Sequence, residues 1–103
     1  MDLLTCNHKK YIFFKNKNGK KVRIYNKSDL SFFKSLTFER AIWVIKVVDN
    51  TLYVGQWGCF SIVDLENIVL LREFETENLV HSIEKSGNLV LIGQMGGILQ
   101  IYD

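Results

Sequence analysis

Leu52-Tyr-Val-Gly-Gln-Trp-Gly-Cys-Phe-Ser-Ile-Val-Asp64 and Val90-Leu-Ile-Gly-Gln-Met-Gly-Gly-Ile-Leu-Gln-Ile-Tyr-Asp103 say nearly the same thing twice. Gly55 and Gly93, Gln56 and Gln94, and Gly58 and Gly96 are each 38 positions apart. Single apolar matches arise by chance, but Gly, Gln and Gly at one offset do not. A period of this length marks one supersecondary unit copied along the chain.

The same offset extends the match. Glu39 falls on Glu77, Ile42 on Val80, Ile45 on Ile83 and Asn50 on Asn88. Upstream, Asn26 falls on Asp64, Leu30 on Ile68, Phe33 on Leu71, Lys34 on Arg72 and Leu36 on Phe74. Past Gly96 the register slips by one, because Gly97 has no counterpart. A third copy is visible as Val22-Arg-Ile-Tyr-Asn26 against Phe60-Ser-Ile-Val-Asp64.

Each copy reads as short strands rich in β-branched and aromatic residues. In the middle copy they are Ile42 to Val48, Leu52 to Gln56, Phe60 to Val63 and Ile68 to Phe74. Asp49-Asn50, Gln56-Trp57-Gly58 and the Asp64 to Asn67 stretch supply turns. The first copy gives Leu3 to Cys6, Tyr11 to Phe14, Val22 to Tyr25 and Ser31 to Leu36; the last gives Leu79 to Glu84, Leu89 to Gln94 and Ile98 to Tyr102. Leu30, Phe33 and Leu36 have helical spacing, but their alignment with the β-rich run before Glu75 argues for a strand.

The string from Gly87 to Asp103 resembles the second half of a WD repeat. A small residue ends one strand (Gly93), glycines make the turn (Gly96, Gly97) and an aromatic-Asp pair closes the next strand (Tyr102, Asp103). Gly55, Gly58 and Val63-Asp64 take these places in the preceding copy, and Tyr25-Asn26 in the first. The resemblance covers the chain from Tyr11 onward. It departs at the family's Gly-His pair, replaced by Glu39-Arg40 and Glu77-Asn78, and at the turn Asp and the Trp before the final Asp, both absent.

The expected fold is therefore all-β: tandem four-stranded antiparallel blades of a β-propeller, in one repeat domain with units at about 1–36, 41–74 and 79–103. The last unit lacks its outer strand. A closed propeller needs at least about four blades, so this chain does not close a ring alone. Its open blade edges invite self-association by strand pairing. The alternative is a β-trefoil, which would suit a carbohydrate or small-ligand domain.

The resemblance implies a non-enzymatic interaction and scaffold module that holds protein or peptide partners on loops at one face. That face would carry Arg40, Gln56, Trp57, Gln94 and Met95, with Glu39, Glu77 and Asn78 beside them. Trp43 and His81 would begin equivalent innermost strands. Trp57 and Met95 are large apolar residues at turn tips, the kind that anchors interfaces.

The 103 residues are enough for one domain. No apolar run approaches the ~20 residues of a membrane span, and the first ten residues lack a signal-peptide core; cytoplasm is the default expectation. Lys15-Asn-Lys-Asn-Gly-Lys-Lys21 forms a basic hairpin around Asn18-Gly19, expected to be solvated. Lys15, Lys17, Lys20 and Lys21 could meet an acidic ligand, but no aromatic stacking pattern accompanies them, so nucleic acid is not the expected partner. Cys6 and Cys59 are expected to be free thiols. His8 and His81 have no partners at metal-ligand spacing. Strand alternation would send His81 and Ser82 to opposite faces, leaving no nucleophile–base pair. The glycines from Gly93 to Gly97 lack the Lys-Ser/Thr of a phosphate loop. No cofactor or metal is expected.

Overall fold

The computed structural model describes residues 3–5, 8–16, 19–97 and 99–102, with the side chains of 3, 4 and 99–102 left aside. Among these residues every regular element is a strand: β1 (Leu3–Thr5), β2 (Tyr11–Lys15), β3 (Lys21–Asn26), β4 (Phe32–Thr37), β5 (Ile42–Val48), β6 (Thr51–Asp64), β7 (Val69–Ser86), β8 (Leu89–Gln94) and β9 (Leu99–Tyr102). All pairings are antiparallel, in the orders β1-β2-β3-β4 and β5-β6-β7-β8-β9.

The second run is not one flat sheet. At ~3.3 Å per residue, β6 and β7 would extend about 46 and 59 Å if straight, yet the longest dimension of the molecule is 40 Å. β6 folds back at Gly58, whose φ is 72°. Tyr53 and Phe60 would be about 23 Å apart along a straight strand, but their rings stack with centroids 6.0 Å apart. In β7 the break falls at Thr76–Asn78, because Cys59 pairs with Glu75 while Trp57 pairs with Leu79. The first half of β7 finishes one blade and its second half begins the next. The result is two four-stranded blades followed by a three-stranded one.

The blades stack through apolar faces, as alternation along each strand requires. Phe13, Val22 and Ile24 of blade one meet Ile45, Val47, Leu52, Val54 and Val63 of blade two in one buried cluster. Tyr53 and Phe60 of blade two meet Val80, Ile83, Val90 and Ile92 of blade three in another. Fully burying each such side chain contributes ~1.5–3 kcal/mol. Among the described residues the sheets are open and form no closed barrel, so the β-trefoil alternative is not needed.

The repeat is written into the backbone as well. Left-handed φ values come in pairs 38 residues apart: Leu30 (62°) with Ile68 (54°), Asp49 (53°) with Gly87 (57°), and Gly58 (72°) with Gly96 (91°). Ile68 was expected to open a strand; instead it ends a turn, and the strand begins at Val69. A β-branched residue is rarely found in this conformation. Ile68 tolerates it because its side chain is buried in the cluster between blades one and two.

Candidate functional site

The turns joining the second and third strands of each blade gather at one edge, together with the segments that enter each first strand. In blade two the Trp57 N–H donates to the Ala41 carbonyl at 3.2 Å; in blade three the Met95 N–H donates to the Leu79 carbonyl at 2.9 Å. The Arg40 guanidinium donates to the carbonyls of Trp57 and Gly58, at 3.3 and 2.7 Å. Asn78, the counterpart of Arg40, donates its N–H to Gln94 Oε1 at 3.0 Å. Each tip is thus held from beneath by its own blade, while Trp57 and Met95 remain 47% and 48% exposed. Two large apolar side chains stand on fixed backbone at equivalent positions.

Gln56 and Gln94 do not share that exposure. Both carboxamides are buried, contrary to their expected place among the offered side chains. Gln56 Nε2 donates to Ser61 Oγ at 2.7 Å inside the hairpin, and Gln94 receives the Asn78 N–H. Their work is to satisfy buried polar groups at the turn.

A cleft of about 250 Å³ opens beside Trp57, lined by Glu39, Arg40, Gln56, Cys59, Glu73, Phe74 and Glu75. Three carboxylates face one guanidinium there. Glu73 Oε2 accepts from Ser61 Oγ at 3.3 Å. Cys59 is a free thiol. Burial raises its pKa above the ordinary thiol range, with Glu73 adding to the rise and the Ser61 hydrogen bond and Arg40 opposing it. That environment disfavours the thiolate.

Bulges aim the first strands. Ile42 pairs with Gln56 and Val44 with Gly55, so Trp43 is the extra residue; Val80 pairs with Gln94 and Ser82 with Gly93, so His81 is. A bulge sets aside strict alternation. A Cβ on Gly93 would meet both Ser82 Oγ and His81 Cε1, at 2.3 and 3.3 Å, so these two side chains lie toward the same face, not opposite ones. His81 Nε2 lies 3.0 Å from the Gln94 carbonyl oxygen; that oxygen can only accept, so Nε2 carries the hydrogen and is not a base. Trp43 and His81 are both exposed.

The basic loop divides. Lys20 and Lys21 are exposed, and Lys17 lies outside the described residues. Lys15 is not part of a solvated loop: it is 5% exposed, and its Nζ donates to the Ile42 carbonyl. The 38-residue alignment sets Lys15 on Tyr53, a buried stacking position, and that signal could have found it.

On the opposite edge His8 is buried. Its Nδ1 accepts the Lys10 N–H at 3.1 Å, so the ring hydrogen sits on Nε2 and is donated to Asn50 Oδ1 at 2.7 Å. Tyr11 stacks on this ring, and Phe33 on Tyr11, each with centroids 5.2 Å apart. The bond ties blade one to the first turn of blade two. Among the described residues no group of three or more His, Cys, Asp or Glu could hold a metal ion, and no helix is long and apolar enough to cross a membrane.

This arrangement of blades defines an open, propeller-type all-β repeat, and comparison with solved structures agrees. The chain is similar to a computationally designed protein, Ika4, at 20% identity with a TM-score of 0.81, over 96% of this chain and 62% of that one. It is similar to the WD40 repeats of RRP9 at 11% identity, with a TM-score of 0.76, over 89% of this chain and 30% of that one. BBS1N, solved in complex with ARL6DN, matches at 18% identity and a TM-score of 0.74, over the same shares. The chain thus spans less than two thirds of each of these proteins. No family model and no curated protein matches the sequence.

Proposed function

We propose that the chain is a non-enzymatic interaction module, one repeat domain with units at 1–36, 41–74 and 79–103, that holds a protein or peptide partner on the edge carrying Trp57 and Met95. The observation that carries this reading is the pair of half-exposed apolar tips on backbone held by Arg40 and Ala41 at Trp57 and by Leu79 at Met95. Side chains held this way lose little freedom on binding, so less of their contact energy is spent on ordering. The acidic cleft beside Trp57 suits a Lys or Arg of the partner. BBS1N, a structural neighbour, was solved with a protein partner, which supports the reading by analogy of fold.

A displayed peptide library selected against the chain tests it. Enriched peptides should combine a basic residue with an apolar one. Their affinity should fall at least ~10-fold on Trp57→Ala, as for an interface hot spot, and further with Met95→Ala. Selected peptides that bind both variants as well as the unaltered chain would refute the proposal.

A further inference from the structure

Gly19, Trp57 and Met95 stand 38 residues apart and take the same place in the three blades. The turn of blade one therefore offers no large apolar side chain there. Instead Asn16, Gly19, Lys20, Lys21 and Arg23 line a hollow of about 270 Å³. Asn16 Oδ1 accepts from the Arg23 guanidinium at 3.3 Å, and Lys20 and Lys21 are exposed. The backbone beneath these cations is held as it is at Trp57. The Gly19 N–H donates to the Asn16 carbonyl at 3.0 Å, the Gly19 carbonyl accepts the Ile42 N–H at 2.9 Å, and the Lys20 carbonyl accepts the Phe38 N–H at 2.8 Å. Ala41, next to Ile42, holds the Trp57 N–H. The basic turn and the Trp57 turn are thus tied to adjacent residues on one edge.

We infer that the basic turn of blade one takes a carboxylate, an Asp or Glu of the same peptide segment that lies over Trp57. This rests on the reading that the Trp57 edge holds a peptide. Charge selects the occupant. Among the described residues the one ion pair is Lys46–Glu84, at 3.7 Å, so Lys20, Lys21 and Arg23 do not neutralise Glu39, Glu73 and Glu75 of the cleft. One edge then carries a positive site and a negative site, each open to a partner. A segment of the opposite order matches both: a carboxylate over blade one, an apolar side chain at Trp57 and a cation in the cleft. The guanidinium fork of Arg23 suits a carboxylate. A phosphate backbone laid on these cations would run on to the three cleft carboxylates, which repel it. Spacing follows from the stacking. Packed sheets lie ~10 Å apart and an extended chain rises ~3.3 Å per residue, so the carboxylate belongs about three residues from the side chain at Trp57.

Peptides selected against the unaltered chain test it, with affinities measured by calorimetry. The tightest should carry Asp or Glu about three positions from their apolar residue. Lys20→Glu combined with Lys21→Glu turns attraction into repulsion and should weaken them at least ~10-fold; both side chains are exposed, so the circular dichroism should not change. Changing the peptide's own Asp or Glu to the amide should cost about threefold to fivefold against the unaltered chain and little against that double variant. High salt should shrink the difference. Lys9→Glu combined with Lys10→Glu makes the same change of charge at exposed positions on the opposite edge and should alter affinity by less than about twofold, being screened by salt. Peptides that weaken on Trp57→Ala but bind the Lys20 and Lys21 double variant as tightly overturn this inference and leave the interaction reading standing. Peptides indifferent to Trp57→Ala overturn the interaction reading and this inference with it. Equal losses from the two pairs of lysine substitutions overturn it as well, because net charge alone would then account for the binding.

Discussion

Adding one methyl group at Gly55 tests the stacking of blade three on blade two. Gly55 is buried in β6, and a Cβ there would lie 2.6 Å from Val44 Cγ1, 2.8 Å from Val80 Cγ1 and 3.1 Å from Val80 Cβ. Rotating the valines relieves the Cγ contacts only. The Cβ contact requires the Val80 strand to move away from β6. Overpacking of this kind costs about 1–3 kcal/mol. Restricting the unfolded chain returns about 0.4–1 kcal/mol, so Gly55→Ala should destabilise by about 1–2 kcal/mol. For a chain of about 100 residues that lowers Tm by roughly 5–15 °C, measured by calorimetry with urea denaturation as a check. Val80→Ala clears the obstruction, so the double variant should lose less than the sum of the two single losses. Gly93→Ala is the internal control: it has the same place in the repeat, but the tightest contact of its Cβ would be Ser82 Oγ, on a side chain that can turn. It should cost less than Gly55→Ala. An equal or smaller cost at Gly55, or simple additivity with Val80→Ala, would refute the stacking argument.

Two further outcomes follow from the geometry. His8→Ala removes a buried ring and leaves Asn50 Oδ1 without this donor, so stability should fall by about 2–3 kcal/mol; amides of blade one should exchange faster in a deuterium-exchange experiment. With Cys6→Ser as background, Cys59 should react with iodoacetamide more slowly at pH 8 than free cysteine, because burial raises its pKa. The unfolded chain ionises its thiol first as pH rises, so this stabilising contribution is complete below the ordinary thiol pKa. It is lost as pH climbs through the higher folded value; a thiol that reacts like free cysteine would contradict the assigned burial.

Much of the fold was legible because the residues that punctuate it are repeated. Gly58 and Gly96 mark turns, Gly55 and Gly93 mark close approach, and β-branched runs mark the strands between. What escaped reading lies where local pattern and tertiary demand part. Gln56 and Gln94 look like loop residues by polarity, yet the hairpin turns so tightly that their carboxamides are its internal hydrogen-bonding groups. Lys15 belongs by composition to a solvated run and by register to an interior face. Ile68 carries the left-handed φ that Leu30 also carries, and nothing in an isoleucine announces it. His81 and Ser82 fell to one face because a bulge inserts a residue, which alternation alone does not foresee. The exposed tips Trp57 and Met95 were legible, since both sit between glycine-marked strand ends. The outer strands hold a less expected feature: Phe32, Phe33, Val69, Leu70 and Leu71 are exposed along the rim.

The shared strand β7 bears on how the chain comes apart. In stacked repeats the boundary between units is where one can open while its neighbour stays shut. Blades one and two have such a boundary, with separate strands ending at Thr37 and starting at Ile42. Blades two and three do not, because one strand runs from Val69 to Ser86 through both. Releasing the first half of β7 strips a ladder from blade two and releasing the second half strips one from blade three, and the continuous strand between them couples the two losses. Blades two and three should therefore fray as one cooperative unit, with amide exchange at Glu73 and at Ile83 reporting a common opening, while blade one opens on its own.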